Sequence, residues 1–169
     1  GGSQMITEDD IGGAAETNER FGASLASGDF NRDGYDDLAV GAPGEDFVTI
    51  ESAGIVFVLK GTPNGLSTTG IFPIWQEITI LDNVEEADNF GSVLAVGDFD
   101  GDGFHDLAIG TPNEALEIDS TVISYAGVVQ VVYGSTNGLS SSGNQRWYQG
   151  MEFGGFVIQD EPSAYDMFG

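Results

Sequence analysis

The chain has 169 residues and a formal charge of −24, with 4 Lys and Arg against 28 Asp and Glu. This charge excludes nucleic acid as a partner, since phosphate binding needs a basic surface, and no apolar run reaches the roughly 20 residues that membrane insertion requires. Aromatic residues make up 11% of the chain, more than a disordered acidic tail would contain, and the absence of cysteine excludes disulfides and thiolate chemistry.

Three segments of the sequence occur twice, which indicates a repeat protein. The pairs are Phe21–Phe30 with Phe90–Phe99, Asp37–Pro43 with Asp106–Pro112, and Gly54–Gly61 with Gly127–Gly134. We therefore divide the chain into two full units, residues 21–89 and residues 90–169. Residues 1–20 are expected to be the tail of a preceding unit, with its outer strand and connecting loop, and the second unit ends where a third would begin.

Each unit is predicted to contain four short strands. In the first unit, Phe21–Phe30 is small and glycine-rich, as suits a crowded inner strand, whereas Asp37–Gly41 and Ile55–Leu59 are apolar runs typical of strands buried on both faces. Asn64-Gly65 indicates a hairpin with a type I′ turn, and alternation in Ile74–Leu81 indicates an outer strand. The sequence thus predicts an all-β fold of four-stranded antiparallel sheets, the blades of a β-propeller.

An acidic loop connects the first two predicted strands of each unit. Residues 29–37 and 98–106 both fit the pattern Asp-x-[Asp/Asn]-x-Asp-Gly-x-x-Asp. Ca²⁺ takes about six to eight oxygen ligands, and carboxylates at positions 1, 3 and 5 of a tight loop can converge on one point. Glycine at position 6 permits a sharp turn, position 7 can offer its carbonyl, and the aspartate at position 9 completes the shell.

The two loops predict two Ca²⁺ sites. The second loop offers one carboxylate more than the first, so we expect the second site to bind more tightly. An EF-hand would need glutamate at position 12, where this chain has Val40 or Ile109. The alternative is that both loops are solvated Asp-Gly turns that bind no metal. Their recurrence at the same place in two units disfavours this alternative. The predicted ligands are Asp29, Asn31, Asp33, Asp37 and the Tyr35 carbonyl in the first loop, and Asp98, Asp100, Asp102, Asp106 and the Phe104 carbonyl in the second.

These residues carry a resemblance to a known family. Phe-Gly at 21–22, the acidic loop at 29–37 and Gly-Ala-Pro at 41–43 resemble the FG-GAP repeat, which builds the propeller at the head of integrin α subunits. The second unit has Thr111 in place of the alanine. The Asn-Gly-Leu-Ser and Trp signatures of both units are more similar to bacterial extracellular FG-GAP proteins. The resemblance implies Ca²⁺-binding propeller blades located outside the cell or at its surface.

The leading functional hypothesis that the resemblance implies is a non-catalytic segment for adhesion or for recognition of a protein or glycan ligand. The alternative is an accessory module of a surface enzyme that acts on carbohydrate or phospholipid, because FG-GAP repeats also accompany such enzymes. We predict no catalysis by the chain itself, since its single histidine, His105, occupies a loop position that is expected to point outward. The extension at 112–126 is the candidate ligand surface, with packing against a neighbouring blade as the alternative.

Two blades alone leave an apolar face uncovered at each end, whereas closed propellers have about 4–8 blades. We therefore expect either that this chain is part of a longer propeller, or that identical chains associate head to tail into a closed ring.

Overall fold

The computed structural model describes residues 3–13, 16–76, 83–153, 156–158 and 161–169. In the first unit, β1, β2, β3 and β6 form one antiparallel sheet in that order, and β4 pairs with β5 as a separate hairpin. The strands are β1 (Ser24–Gly28), β2 (Asp37–Ala42), β3 (Ile55–Leu59), β4 (Gly61–Thr62), β5 (Gly65–Leu66) and β6 (Phe72–Ile74).

The second unit repeats this sheet, with β7, β8, β11 and β12 in the corresponding order. Its strands are β7 (Val93–Gly97), β8 (Asp106–Thr111), β9 (Leu116–Ile118), β10 (Thr121–Ile123), β11 (Val128–Tyr133) and β12 (Ser140–Trp147). β9 and β10 form a hairpin within the extension at 112–126. A last hairpin joins β13 (Glu152–Phe153) to β14 (Phe156–Val157).

The predicted all-β architecture is confirmed, since each unit forms a four-stranded antiparallel sheet of the kind that makes a propeller blade. The predicted third strand of the first unit, Ile55–Leu59, matches β3 at both ends. Among the described residues, no helix has the length and apolar character that crossing a membrane requires.

Two local predictions in the first unit differ from the structure. The outer strand is Phe72–Ile74 and not Ile74–Leu81, and residues 77–82 lie outside the described part of the chain. Pro73 is acceptable in this strand because β6 lies at the edge of the sheet. The predicted hairpin exists, but Thr62 pairs with Gly65, so the turn residues are Pro63 and Asn64. Proline fixes a negative φ, which a type I′ turn does not allow.

Residues 3–13 contain a short 3-10 helix at Glu8–Ile11, and no strand is described within residues 1–20, where we expected an outer strand. Local hydrogen bonds explain the helix. The Asp10 carboxylate accepts from the Thr7 N–H and hydroxyl, at 2.8 and 2.7 Å, and Gly12 ends the helix with φ of +87°. A side chain that satisfies the first helical N–H groups favours such a turn over an extended strand.

Alternating residues of β3 face opposite sides of the first blade. Val56 and Val58 pack in the core between the blades, with Leu107 and Ile109 of the second blade. Ile55, Phe57 and Leu59 face the other side, in a cluster that Ile6 and Ile11 help to cover. The strand is buried along its whole length, which explains its continuous apolar sequence.

Glycines allow the blades to approach closely where the second Phe-Gly pair meets the first sheet. A Cβ atom on Gly54, whose φ is +87°, would lie 2.3 Å from the Phe90 carbonyl oxygen. A Cβ atom on Gly127, the equivalent glycine, would lie 2.3 Å from the Phe168 carbonyl oxygen. The Phe-Gly pairs at 90–91 and 168–169 therefore pack against the blade that precedes each of them in the chain.

We expect Gly54→Ala to destabilise the fold more than Gly22→Ala. Both glycines have left-handed backbones, with φ of +87° and +82°, but nothing lies within 4 Å of a Cβ atom on Gly22. The change at Gly22 should cost the backbone term alone, about 1–2 kcal/mol, and the change at Gly54 about 1–3 kcal/mol more from overpacking. Urea unfolding of both variants measures the difference, and equal losses would contradict the close blade contact.

Candidate metal centre

The two acidic loops lie at equivalent positions because β1–β2 and β7–β8 pair in the same register. Gly28 pairs with Asp37 at the end of the first pair of strands, and Gly97 pairs with Asp106 at the end of the second. Each loop therefore starts and ends at neighbouring points of the sheet. This geometry brings the first and last predicted ligands of each loop together.

Hydrogen bonds within the first loop hold its side chains. Asp29 accepts from the N–H groups of Asp33 and Gly34, at 3.0 and 2.9 Å. Asn31 Oδ1 accepts from Asp33 N at 2.9 Å, and Asp33 Oδ1 accepts from Tyr35 N at 3.1 Å. Gly34 has φ of +91°, so the sharp turn predicted at position 6 is present.

The second loop repeats most of the pattern, although its first aspartate accepts from position 4 where Asp29 accepts from position 5. Asp98 accepts from the N–H groups of Gly101 and Gly103, at 2.8 and 3.2 Å. Asp100 Oδ1 accepts from Asp102 N at 3.1 Å, and Asp102 Oδ1 accepts from Phe104 N at 2.9 Å. The repeated hydrogen bonds show that residue type at positions 1, 3, 5 and 6 fixes the loop conformation in both units.

The aspartate at position 9 is the buried member of each loop. Asp37 is 3% exposed and accepts from Phe30 N at 3.3 Å and from Gly61 N at 2.8 Å. Burial raises the pKa of Asp37 above its usual value, and those two N–H groups oppose the shift. Asp106 is 0% exposed and has the equivalent partners, Phe99 N at 2.7 Å and Gly134 N at 2.8 Å.

Carboxylate oxygens converge in the second loop. One oxygen each from Asp98, Asp100 and Asp106 lies within 4.8 Å of the others, a spacing that suits a Ca²⁺ ion with oxygens at about 2.4 Å. Desolvation raises the pKa of Asp100 above its usual value, and the charges of Asp102 and Asp106 raise it further. The donor chemistry of these residues therefore fits a hard divalent cation. Asp102 stands outside this group of three oxygens, and a role for the Phe104 carbonyl stays a prediction.

The first loop differs because it has a cationic neighbour. Lys60 Nζ lies 3.0 Å from Asp33 Oδ2, and this hydrogen bond lowers the pKa of Asp33 and raises that of Lys60. In the second unit the equivalent position is Tyr133, where desolvation and the charges of Asp106 and Asp100 raise the pKa of the phenol. The first site thus has fewer carboxylates and a competing ammonium group. The roles of Asp29, Asn31, Asp33, Asp37 and the Tyr35 carbonyl as ligands stay predictions.

Sequence analysis missed the contacts that join the two loops. His105 is exposed and lies outside its own loop's ligand set, but its Nδ1 accepts a hydrogen bond from Asp29 N at 2.9 Å. The guanidinium carbon of Arg32 lies 5.9 Å from the centre of the Phe104 ring. Neither contact leaves a pattern in the repeat, since His105 stands where the first unit has Asp36, and Arg32 stands where the second unit has Gly101. Gly61 and Gly134 do recur, and they were the available signal for the N–H groups that donate to Asp37 and Asp106.

Comparison with known proteins places both units in one repeat family. The FG-GAP repeat matches residues 21–59 and 90–132. Phosphatidylinositol-glycan-specific phospholipase D of Rattus norvegicus is 40% identical over 126 residues, which are 74% of this chain and 14% of that protein. Integrin alpha-4 of Xenopus laevis is 36% identical over 143 residues, 84% of this chain and 12% of that protein. The chain therefore spans about one-seventh or less of the length of these relatives.

We expect Asp106→Ala to destabilise the chain even in the presence of a chelator. Removal of the carboxylate leaves the buried N–H groups of Phe99 and Gly134 without an acceptor, at a cost of about 2–4 kcal/mol in total. Asp36→Ala is the control, because Asp36 is exposed and its loss should change stability by less than about 0.5 kcal/mol. Urea unfolding in EDTA measures both, and a loss at Asp106 no larger than at Asp36 would refute the structural role.

Proposed function

Because the two units are FG-GAP repeats that fold as β-propeller blades, we propose that the chain is a Ca²⁺-binding, non-catalytic propeller segment for adhesion or ligand recognition outside the cell or at its surface. The observation that carries the proposal is the convergence of oxygens from Asp98, Asp100 and Asp106 within 4.8 Å. Similarity to integrin alpha-4 supports the adhesion part of the proposal.

Bound Ca²⁺ would supply positive charge to loops that otherwise concentrate carboxylates. Asp37 and Asp106 would hold the ion from the blade side, where each is buried and fixed by two N–H groups. The remaining side chains of each loop would hold it from the solvent side. A chain with a formal charge of −24 gains stability from such binding, because a ligand that binds only the native state shifts the unfolding equilibrium.

The extension at 112–126 offers the surface that we propose for ligand recognition. Leu116 is 1% exposed and packs with Ala126 and Val128, so the base of the β9–β10 hairpin belongs to its own blade. Val122 is 65% exposed, and Tyr125 stacks on Tyr165 with ring centres 5.1 Å apart. Exposed apolar and aromatic groups in and beside this hairpin suit a protein or glycan partner.

A second candidate function is an accessory module of a surface enzyme that acts on phospholipid or carbohydrate. The identity of 40% to a phosphatidylinositol-glycan-specific phospholipase D favours it. The two candidates share the Ca²⁺ sites and differ in what accompanies the blades. A catalytic domain encoded in the same reading frame would favour the accessory module, whereas further blades without such a domain would favour adhesion.

We also propose that further blades cover the two open faces, either from a longer parent chain or from identical chains. Leu25 on β1 is 60% exposed on the outer face of the first blade, and Val93 on β7 is 53% exposed on the outer face of the second. Leu25 corresponds to Leu94, which packs in the core between the blades. Val93 corresponds to Ser24, whose hydroxyl donates a hydrogen bond to the Gly91 carbonyl of the second blade.

We expect calorimetric titration with CaCl₂ to resolve two sites, and Asp100→Asn to weaken the tighter one about tenfold. The substitution gives the second loop the asparagine that the first has at Asn31, and Ca²⁺ affinity follows the number of ligand charges. Asn31→Asp is the matched variant and should tighten the weaker site. The absence of Ca²⁺ binding, or a tighter site that Asp100→Asn leaves unchanged, would contradict the proposal.

Sedimentation equilibrium in millimolar Ca²⁺ tests association of identical chains. Rings of roughly three or four chains are expected if identical chains cover the open faces, because such numbers close a propeller of ordinary size. A monomer with a cooperative thermal transition would contradict self-association and leave the longer parent chain as the source of the missing blades.

A further inference from the structure

A second kind of carboxylate cluster lies at the other end of the first blade. Glu8 belongs to the 3-10 helix, Glu19 precedes β1, and Glu45 follows β2. The acidic loop joins the end of β1 to the start of β2, so these glutamates lie at the opposite end of the same two strands. One oxygen from each of the three side chains lies within 4.8 Å of the others.

Burial distinguishes this trio from an ordinary acidic surface. Glu8 is 3% exposed and Glu19 is 7% exposed. Glu8 Oε1 and Glu45 Oε2 are both buried and have no hydrogen-bond partner among the described residues. A buried carboxylate oxygen without a donor is costly, so these oxygens indicate a missing positive or proton-bearing group at the centre of the trio.

The second blade carries a comparable trio, since one oxygen each from Glu85, Asp88 and Glu114 lies within 4.8 Å of the others, but an amide lies beside it. Glu45 lies two residues after Pro43, as Glu114 lies two residues after Pro112. Gln76 Nε2 donates a hydrogen bond to Glu114 Oε2 at 2.5 Å, and both side chains are 1% exposed. In the first blade Glu8 takes the place of this glutamine. An amide brings a donor to the buried glutamate, whereas a second carboxylate brings only more negative charge.

All three side chains of the trio are carboxylates, so none of them can supply a positive charge that compensates the others. The backbone nevertheless packs closely around Glu8, since a Cβ atom on Gly13 would lie 2.4 Å from Glu8 Cγ. The chain thus holds the three carboxylates together although they repel one another.

We propose that Glu8, Glu19 and Glu45 form a third divalent-cation site, with Ca²⁺ as its ion. Three carboxylates supply only oxygen ligands, which hard cations such as Ca²⁺ prefer. The site joins the helix at Glu8–Ile11 to the segments that precede β1 and follow β2. Ile6 and Ile11 pack on the apolar side of that blade. The ion therefore holds the N-terminal segment that carries them against the blade.

The test compares the wild-type chain with Glu8→Gln, which gives the first blade the acid–amide arrangement of Gln76 and Glu114. After equilibrium dialysis against saturating CaCl₂, the calcium bound per chain is measured by elemental mass spectrometry. We expect the variant to bind one ion fewer than the wild type. Glu51→Gln makes the same change of charge at an exposed position and should bind as many ions as the wild type.

Equal calcium binding by the wild type and Glu8→Gln would overturn the proposal, and would mean that a shared proton holds the trio. Failure of the loop sites is distinguishable, since it would lower the count in both proteins and preserve the difference of one ion. If circular dichroism shows that Glu8→Gln does not fold, nuclear magnetic resonance of the wild type decides. Paramagnetic Mn²⁺ should broaden the amide signals of Gly13 and Gly44, and their persistence at saturating Mn²⁺ would overturn the site.

Discussion

The buried aspartate at the end of each acidic loop is the group on which the local structure depends. Asp37 and Asp106 each accept one N–H from the start of their own loop and one from the glycine that follows the third strand. One carboxylate therefore joins the loop to two strands of its blade. Because a buried charge is tolerated only where its hydrogen bonds are made, this residue determines the path of the backbone on both sides. Under the proposed Ca²⁺ binding, the same carboxylate would supply an oxygen ligand whose position is fixed without the ion.

Much of the fold could be predicted because its signals are local and occur twice. The continuous apolar sequence of Ile55–Leu59 follows from a strand that packs on both faces, and the Phe-Gly pairs at 90–91 and 168–169 contact the blade before them closely. The acidic loops were predictable for the same reason, since their side chains bond to N–H groups two to five residues further along. Alignment of the two units with each other thus gives the kind of information that an alignment of related proteins would otherwise provide.

The features that sequence analysis missed depend on contacts between distant segments. The hydrogen bond from Asp29 to His105 joins two loops in different blades, and a hydrophobicity pattern carries no information about such a pair. The edge strand Phe72–Ile74 owes its position to pairing with Val56 and Val58 rather than to its own alternation. Sequence analysis missed the trio of Glu8, Glu19 and Glu45 for a further reason. Glu8 contacts Glu45 as Gln76 contacts Glu114, but glutamine has an N–H donor for the buried carboxylate and ionised glutamate has none.

The two blades share the same backbone fold but differ in charge at equivalent positions of the repeat. Asn31 corresponds to Asp100 and Lys60 to Tyr133, so the loop end of the second blade is the more negative of the two. The glycine N–H at position 6 donates to the first aspartate in both loops, which shows that folding tolerates either set of charges. The fold therefore does not determine the charge at these positions, and the charge can differ according to what binds there. Cations bound at the proposed loop sites and at the proposed trio would therefore balance charge at both ends of the first blade rather than at one.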